Sequence, residues 1–203
     1  MATVLLAPPQ PVVAAPSRLR RFTVREFQRL AEVGILSEDD RCELIHGVIY
    51  AAMPPNPPHS TVLGRVNRYL GPPALAAGFV FRIQEPVALA DSQPQPDAAV
   101  AAAPDTRYTT SHPSGPDLHL VVEVSDTSLA YDRGDKLELY AEAGVQVYWV
   151  VNIPARRVEV YTQPTGGPAS TYQTQTDYLP GQSVPVVFAG QAVGSIPVSE
   201  LFP

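Results

Sequence analysis

Between positions 117 and 152 the chain writes a strand, a helix and a second strand with only short turns between them. DLHLVVEVS reads as a strong strand, DRGDKLELYAEA as a helix closed by Gly144, and QVYWVV as a near-continuous apolar run. A strand that is apolar on both faces has to be covered on both, which places QVYWVV inside a sheet. The helix makes a crossover, so its two flanking strands can pair in parallel. Leu137 and Tyr140 or Ala141 should face that sheet, and truncating Trp149 should loosen the helix.

The rest of the chain fits around this unit. Thr23 and Glu26 have the spacing of a capping box, with Phe22 and Phe27 at staple positions, and Gly34 ends the helix. RCELIHGVIYAAM reads as a tight hairpin with ELI and VIY as arms, which puts Glu43 on a strand. Val62, Leu63, Val66, Tyr69 and Leu70 follow helical spacing, with Gly71-Pro72-Pro73 as the stop. FVFRIQEPVAL reads as a strand covered on one face, and DAAVAA as a short strand led by Asp97. RVEVYT makes a further hairpin arm, and the last forty residues read as short edge strands. The expected fold is a mixed α/β sheet in the order helix, three antiparallel strands, helix, strand, preceded by a helix-hairpin unit. Residues 1–21 read as a flexible Pro/Ala-rich tail. Residues 22–203 fit one domain with its core over about 59–162.

Composition narrows the function classes. A hydrophobic content of 45% is ample for a core, and the single cysteine, Cys42, excludes an internal disulfide and fits a reducing cytosol. No apolar run approaches a membrane span. The opening MATVLLAPPQPVVAAP lacks a basic leader, so a cytoplasmic location is expected. The formal charge of −6 argues against tight, non-specific coating of nucleic acid. The arginines near the N terminus, from Arg18 to Arg29, read as a solvated helix face.

Thirteen of the fourteen basic residues are arginine, and the one lysine is Lys136. A compact ammonium can reach a water or an oxyanion where a forked guanidinium cannot. A coding bias that spared one lysine by chance explains the count equally well, and Asp132, four residues earlier, is a sufficient helix partner for it. The carboxylates weigh against the first. If strands 98–103 and 118–124 are antiparallel neighbours, Asp97 and Glu123 meet at one sheet edge, while Asp117 lies roughly 20 Å away. Two such carboxylates repel unless they share a proton or a cation, and Mg²⁺ is bound by such groups.

RCELIHG, QPDAAV, LHLVVEVS, YDRGDKLELY and GVQVYWVVN follow one another in the order and spacing of the Uma-type endonucleases, which the chain resembles over residues 22–162. These are a small bacterial branch of the restriction-endonuclease-like PD-(D/E)XK superfamily. The resemblance implies metal ligands at Glu43, Asp97 and Glu123, with the main-chain carbonyl of Val124 as a further ligand. The superfamily lysine normally stands two residues after the glutamate, at Ser125 here, and in this branch Lys136 on the following helix resembles its replacement. His59 resembles a histidine commonly seen near the site, although a helix N-terminal position explains it as well. His46 and Val48 depart from the family's ELIDGE, and Asn152 stands where aspartate is common.

The expected activity is Mg²⁺-dependent, with Mn²⁺ as a substitute, hydrolysing phosphodiester bonds in DNA through Asp97, Glu123, Lys136 and Glu43. A homodimer is compatible with it. The rival is a nuclease-fold binding or assembly module without useful turnover. A glycosidase built on Glu43 and Glu123 leaves Lys136 unexplained, and His46, His112 and His119 lack zinc spacing.

Overall fold

A six-stranded mixed sheet carries the fold, in a computed structural model that describes residues 19–51 and 54–203. Most of the expected Pro/Ala-rich tail, residues 1–18, lies outside the described residues. α1 (Val24–Glu32) starts on the expected cap, with Thr23 Oγ1 accepting from Glu26 N and Glu26 accepting from Thr23 N at 3.0 Å. Capping of this kind is worth about 1 kcal/mol. β1 (Cys42–Ile45) and β2 (Val48–Ala51) form the hairpin, with His46 and Gly47 both at positive φ. Glycine is needed at 47 for a second reason, because a Cβ there would lie 2.6 Å from Arg21 Cβ. Leu44 and Gln93 exchange backbone hydrogen bonds of 2.7 and 3.3 Å, which docks the hairpin on the segment ahead of Asp97.

α2 (Pro57–Ala76) departs from expectation at both ends. It starts early, on an Asn56 cap, with Pro57 and Pro58 in the first turn where their missing N–H groups do no harm. It also runs through Pro72 and Pro73, which the sequence reading made its stop. The stripe of Val62, Leu63, Val66 and Leu70 continues into Ala74, and all five are buried. Burial of that stripe outweighs the ladder bonds the two prolines cannot make.

β3 (Val80–Ile83), β4 (Ala98–Ala101) and β5 (Leu118–Ser125) form the antiparallel meander. The crossover is two helices, α3 (Leu129–Arg133) and α4 (Asp135–Glu142), broken at Gly134, instead of the one helix expected. β6 (Val147–Asn152) pairs in parallel with β5, β7 (Arg157–Pro164) returns antiparallel, and β8 (Tyr172–Tyr178) forms the edge. β9 (Ser183–Phe188) and β10 (Gln191–Pro197) pair with each other and not with the main sheet, and α5 (Val198–Leu201) follows. Of the expected C-terminal edge strands, only β8 joins the six-stranded sheet.

Side-chain alternation splits the core into two layers. Val122, Val124, Trp149 and Val151 meet α2 and the β9–β10 hairpin. Val121, Tyr148, Val150, Tyr161 and Tyr172 face the other way and meet Tyr140 and Ala141 of α4. β6 is interior, as expected, but Trp149 lies on the face away from α4. Among the described residues no helix is long and apolar enough to cross a membrane.

Candidate active site

Strand register decides which carboxylates meet. Ala98 pairs with Val122, so Asp97 stands beside Glu123, and Asp97 N approaches Glu123 Oε2 at 3.4 Å. Asp117 lies at the other end of β5, 2.7 Å from Arg107 and 2.8 Å from the Ser114 hydroxyl. Glu43 arrives from the docked hairpin, where its Oε1 accepts from Gln95 N at 2.6 Å and from Lys136 Nζ at 3.2 Å. Lys136 Nζ also donates to Glu123 Oε1 at 2.9 Å. The three carboxylates and the lysine are all buried.

The break at Gly134 delivers the lysine. Just before it, Asp132 accepts from Ser125 Oγ at 2.7 Å and Ser128 Oγ at 2.6 Å, while Tyr148 Oη donates to its carbonyl at 2.9 Å. Arg133 grips Glu159 on β7 through two hydrogen bonds. With this stretch pinned, α4 starts at a fixed place and Lys136 points down onto β5. The alternative explanation for the lysine, a helix ion pair with Asp132, is not formed, because the two residues sit on different helices and Asp132 is bound to the serines.

Further side chains hold the acids in place. Asp97 Oδ2 accepts from Val124 N at 2.9 Å and lies 3.0 Å from His59 Nε2, while Gln84 Nε2 reaches Oδ1 at 3.3 Å. The expected helix-cap position of His59 is thus real, and it also brings the ring onto Asp97. Tyr140 Oη donates to Glu123 Oε1 at 2.8 Å. Sequence reasoning missed that bond, although Tyr140 follows Lys136 by one helical turn and so shares its face.

Burial pushes the Glu123 carboxyl up to about 8 against the pull of Lys136, and Asp132, Asp97 and Glu43 push it the same way. Burial disfavours the Lys136 ammonium, yet the charges of Glu123, Glu43 and Asp132 win and hold it protonated. The hydrogen bond to Asp97 raises His59. These groups line a cleft of about 420 Å³ together with Arg41, Tyr50, Asp126 and Tyr131. Among the described residues, no three His, Cys, Asp or Glu side chains are grouped so as to hold a metal ion as they stand. The donor chemistry nevertheless fits a hard cation. The acids offer only carboxylate oxygen, and near neutral pH Glu123 requires either a proton or added positive charge.

The family model of Uma2, described as a putative restriction endonuclease, matches residues 24–197. This chain belongs to the Uma2 family. Its fold is similar to that of a crystal structure described as a putative nuclease belonging to DUF820 from Anabaena variabilis, with a TM-score of 0.62 and 17% identity. That likeness covers 89% of this chain and 97% of the other. No curated protein matches the chain. In this Uma2 chain Asn152 donates to Glu159 Oε1 at 2.7 Å and accepts from Ala155 N at 3.0 Å. An aspartate could not make the first bond, so the asparagine suits the buried glutamate beside it.

Proposed function

We propose that this chain is a divalent-metal-dependent endonuclease that hydrolyses phosphodiester bonds in DNA. The observation that carries the reading is the meeting of Lys136 Nζ, 2.9 Å from Glu123 and 3.2 Å from Glu43, with Asp97 in the same cleft. Glu43, Asp97, Glu123 and the main-chain carbonyl of Val124 would hold Mg²⁺ or Mn²⁺. A bound ion supplies a water of lowered pKa and neutralises charge on the scissile phosphate. Val124 N and Gln84 orient Asp97, and Tyr140 orients Glu123. Lys136 positions the attacking water and stabilises charge developing on the phosphoryl oxygens. Its two carboxylate bonds let it turn toward a phosphate while keeping one anchor. The single cysteine suits a cytoplasmic location.

One observation favours a second reading, a binding or assembly module on the same fold. Lys136 already pairs with both glutamates, so the acids are partly neutralised without a metal. Incubation of plasmid and linear DNA with Mg²⁺ and with Mn²⁺, alongside Asp97→Ala, separates the two. Metal-dependent cleavage that Asp97→Ala loses is the expected result. Cleavage that survives the substitution rejects this site, and metal binding without cleavage supports the module.

A further inference from the structure

Resting on the nuclease reading, we propose that the cleft takes its DNA as an unpaired strand, with a nucleobase against Tyr50 and Tyr131 while the adjoining phosphate meets Lys136. Tyr50, on β2, is 42% exposed at the edge of the cleft. Its ring centroid lies 6.0 Å from that of Tyr131, tilted by 43°. Lys136 Nζ stands 5.7 Å from the Tyr131 ring centroid, so the aromatic wall directly adjoins the lysine and the carboxylates.

Stacking is what separates the two forms of DNA here. An aromatic wall can be met by the face of any base, but only where that face is free, and a base inside a duplex has both faces covered by its neighbours. The carboxylates lining the cleft outnumber its cations, Arg41 and Lys136, so the rings and not a basic groove would carry the contact. A base that is already unpaired also avoids the cost of leaving a duplex stack.

The test uses the full chain and a 2-aminopurine oligodeoxynucleotide, single-stranded or annealed to its complement, with a ribo version as a further arm. Binding is read by fluorescence quenching without added metal, and cleavage is read with Mg²⁺ or Mn²⁺. Single strands should quench and be cut in preference to the duplex. Tyr50→Ala should weaken single-strand binding about tenfold, and Tyr50→Phe, which keeps the ring, should recover the loss. Circular dichroism checks that both variants fold. Duplex bound or cut as well as the single strand, or Tyr50→Ala with undiminished single-strand affinity, overturns the proposal. Tyr50-dependent binding of single strands with no cleavage under either metal would sink the hydrolytic reading and leave this one standing. Equal behaviour of the ribo strand would show that recognition is through the base and phosphate alone.

Discussion

Glu159 is the most heavily bonded acid in the structure and makes a quantitative test of how α3 is anchored. It is fully buried on β7 and accepts from Arg133 Nε at 2.8 Å and Nη2 at 2.5 Å, Arg157 Nε at 2.9 Å, Asn152 Nδ2 at 2.7 Å and Tyr161 Oη at 2.9 Å. Burial pushes the carboxyl up, but the bonds from Arg133, Asn152, Arg157 and Tyr161 prevail and hold it at about 2, below its ordinary 4.5. A depressed folded-state value gives stability that is fully present above pH 4.5 and is lost as pH falls through about 2. The depression corresponds to about 3 kcal/mol. Glu159→Gln keeps the shape, removes the charge and turns an amide N–H₂ toward groups that are themselves donors. Urea denaturation of both proteins across pH should show a gap of about 3 kcal/mol near neutrality that closes toward pH 2. Glu123, whose value moves the opposite way, is present in both proteins and cancels. Arg133 immediately precedes the Gly134 break, so the variant should also lose cleavage. Parallel stability curves from pH 7 to pH 2, or equal stability at neutrality, would refute the assignment.

Three further outcomes follow from the same structure. Lys136→Arg should fold and bind metal yet lose cleavage by about 100-fold or more, since a forked guanidinium does not fit between Glu43 and Glu123; near wild-type turnover in a plasmid assay would remove Lys136 from the chemistry. Mn²⁺ should raise the melting temperature through preferential binding to the folded state, a shift that Glu123→Ala abolishes and Asp117→Ala leaves intact; the reverse pattern would place the metal elsewhere. Trp149→Ala should lower stability by about 3–5 kcal/mol, whereas Trp149→Phe should cost much less than the lost area implies. Trp149 Nε1 is buried without a partner, and the phenylalanine removes that unsatisfied donor; equal denaturation midpoints for the two variants would contradict this.

The meeting of Asp97 with Glu123 was legible because antiparallel pairing is a matter of counting residues along two neighbouring strands. Lys136 was legible from composition. The face that Trp149 takes was not, because a strand apolar on both sides carries no signal of which side meets the following helix. The break at Gly134 depends on Arg133 reaching Glu159, a contact across 26 positions that no local pattern announces. Pro72 and Pro73 misled for the same reason in reverse, since the local stop signal is strong and the burial that overrides it is tertiary. Alternation in SVPVVF marks Val184, Val186 and Phe188 as one buried face. It gives no hint that they pack under α2 and do not lengthen the sheet. Glu43 was placed on a strand correctly, but its arrival at the site rests on the Leu44–Gln93 bridge, which is equally non-local.

Ser125 explains why the lysine stands on a helix. It lies two residues beyond Glu123 on β5 and so projects to the same face, toward α3. The serine is fully buried, and its short side chain lets Asp132 close to 2.7 Å. A lysine at 125 would need the space that Asp132 now occupies. Burial raises the Asp132 carboxyl, while the charge of Lys136 and then the hydroxyls of Ser128 and Ser125 pull it down. Asp132 in turn fixes the end of α3 from which Gly134 turns the chain into α4. Lys136 reaches Glu123 only from that start. The two placements of the lysine, on the strand or on the helix, therefore exclude one another. Placing the ammonium at position 125 requires a different residue at 132 and a different path through 134, not a single exchange.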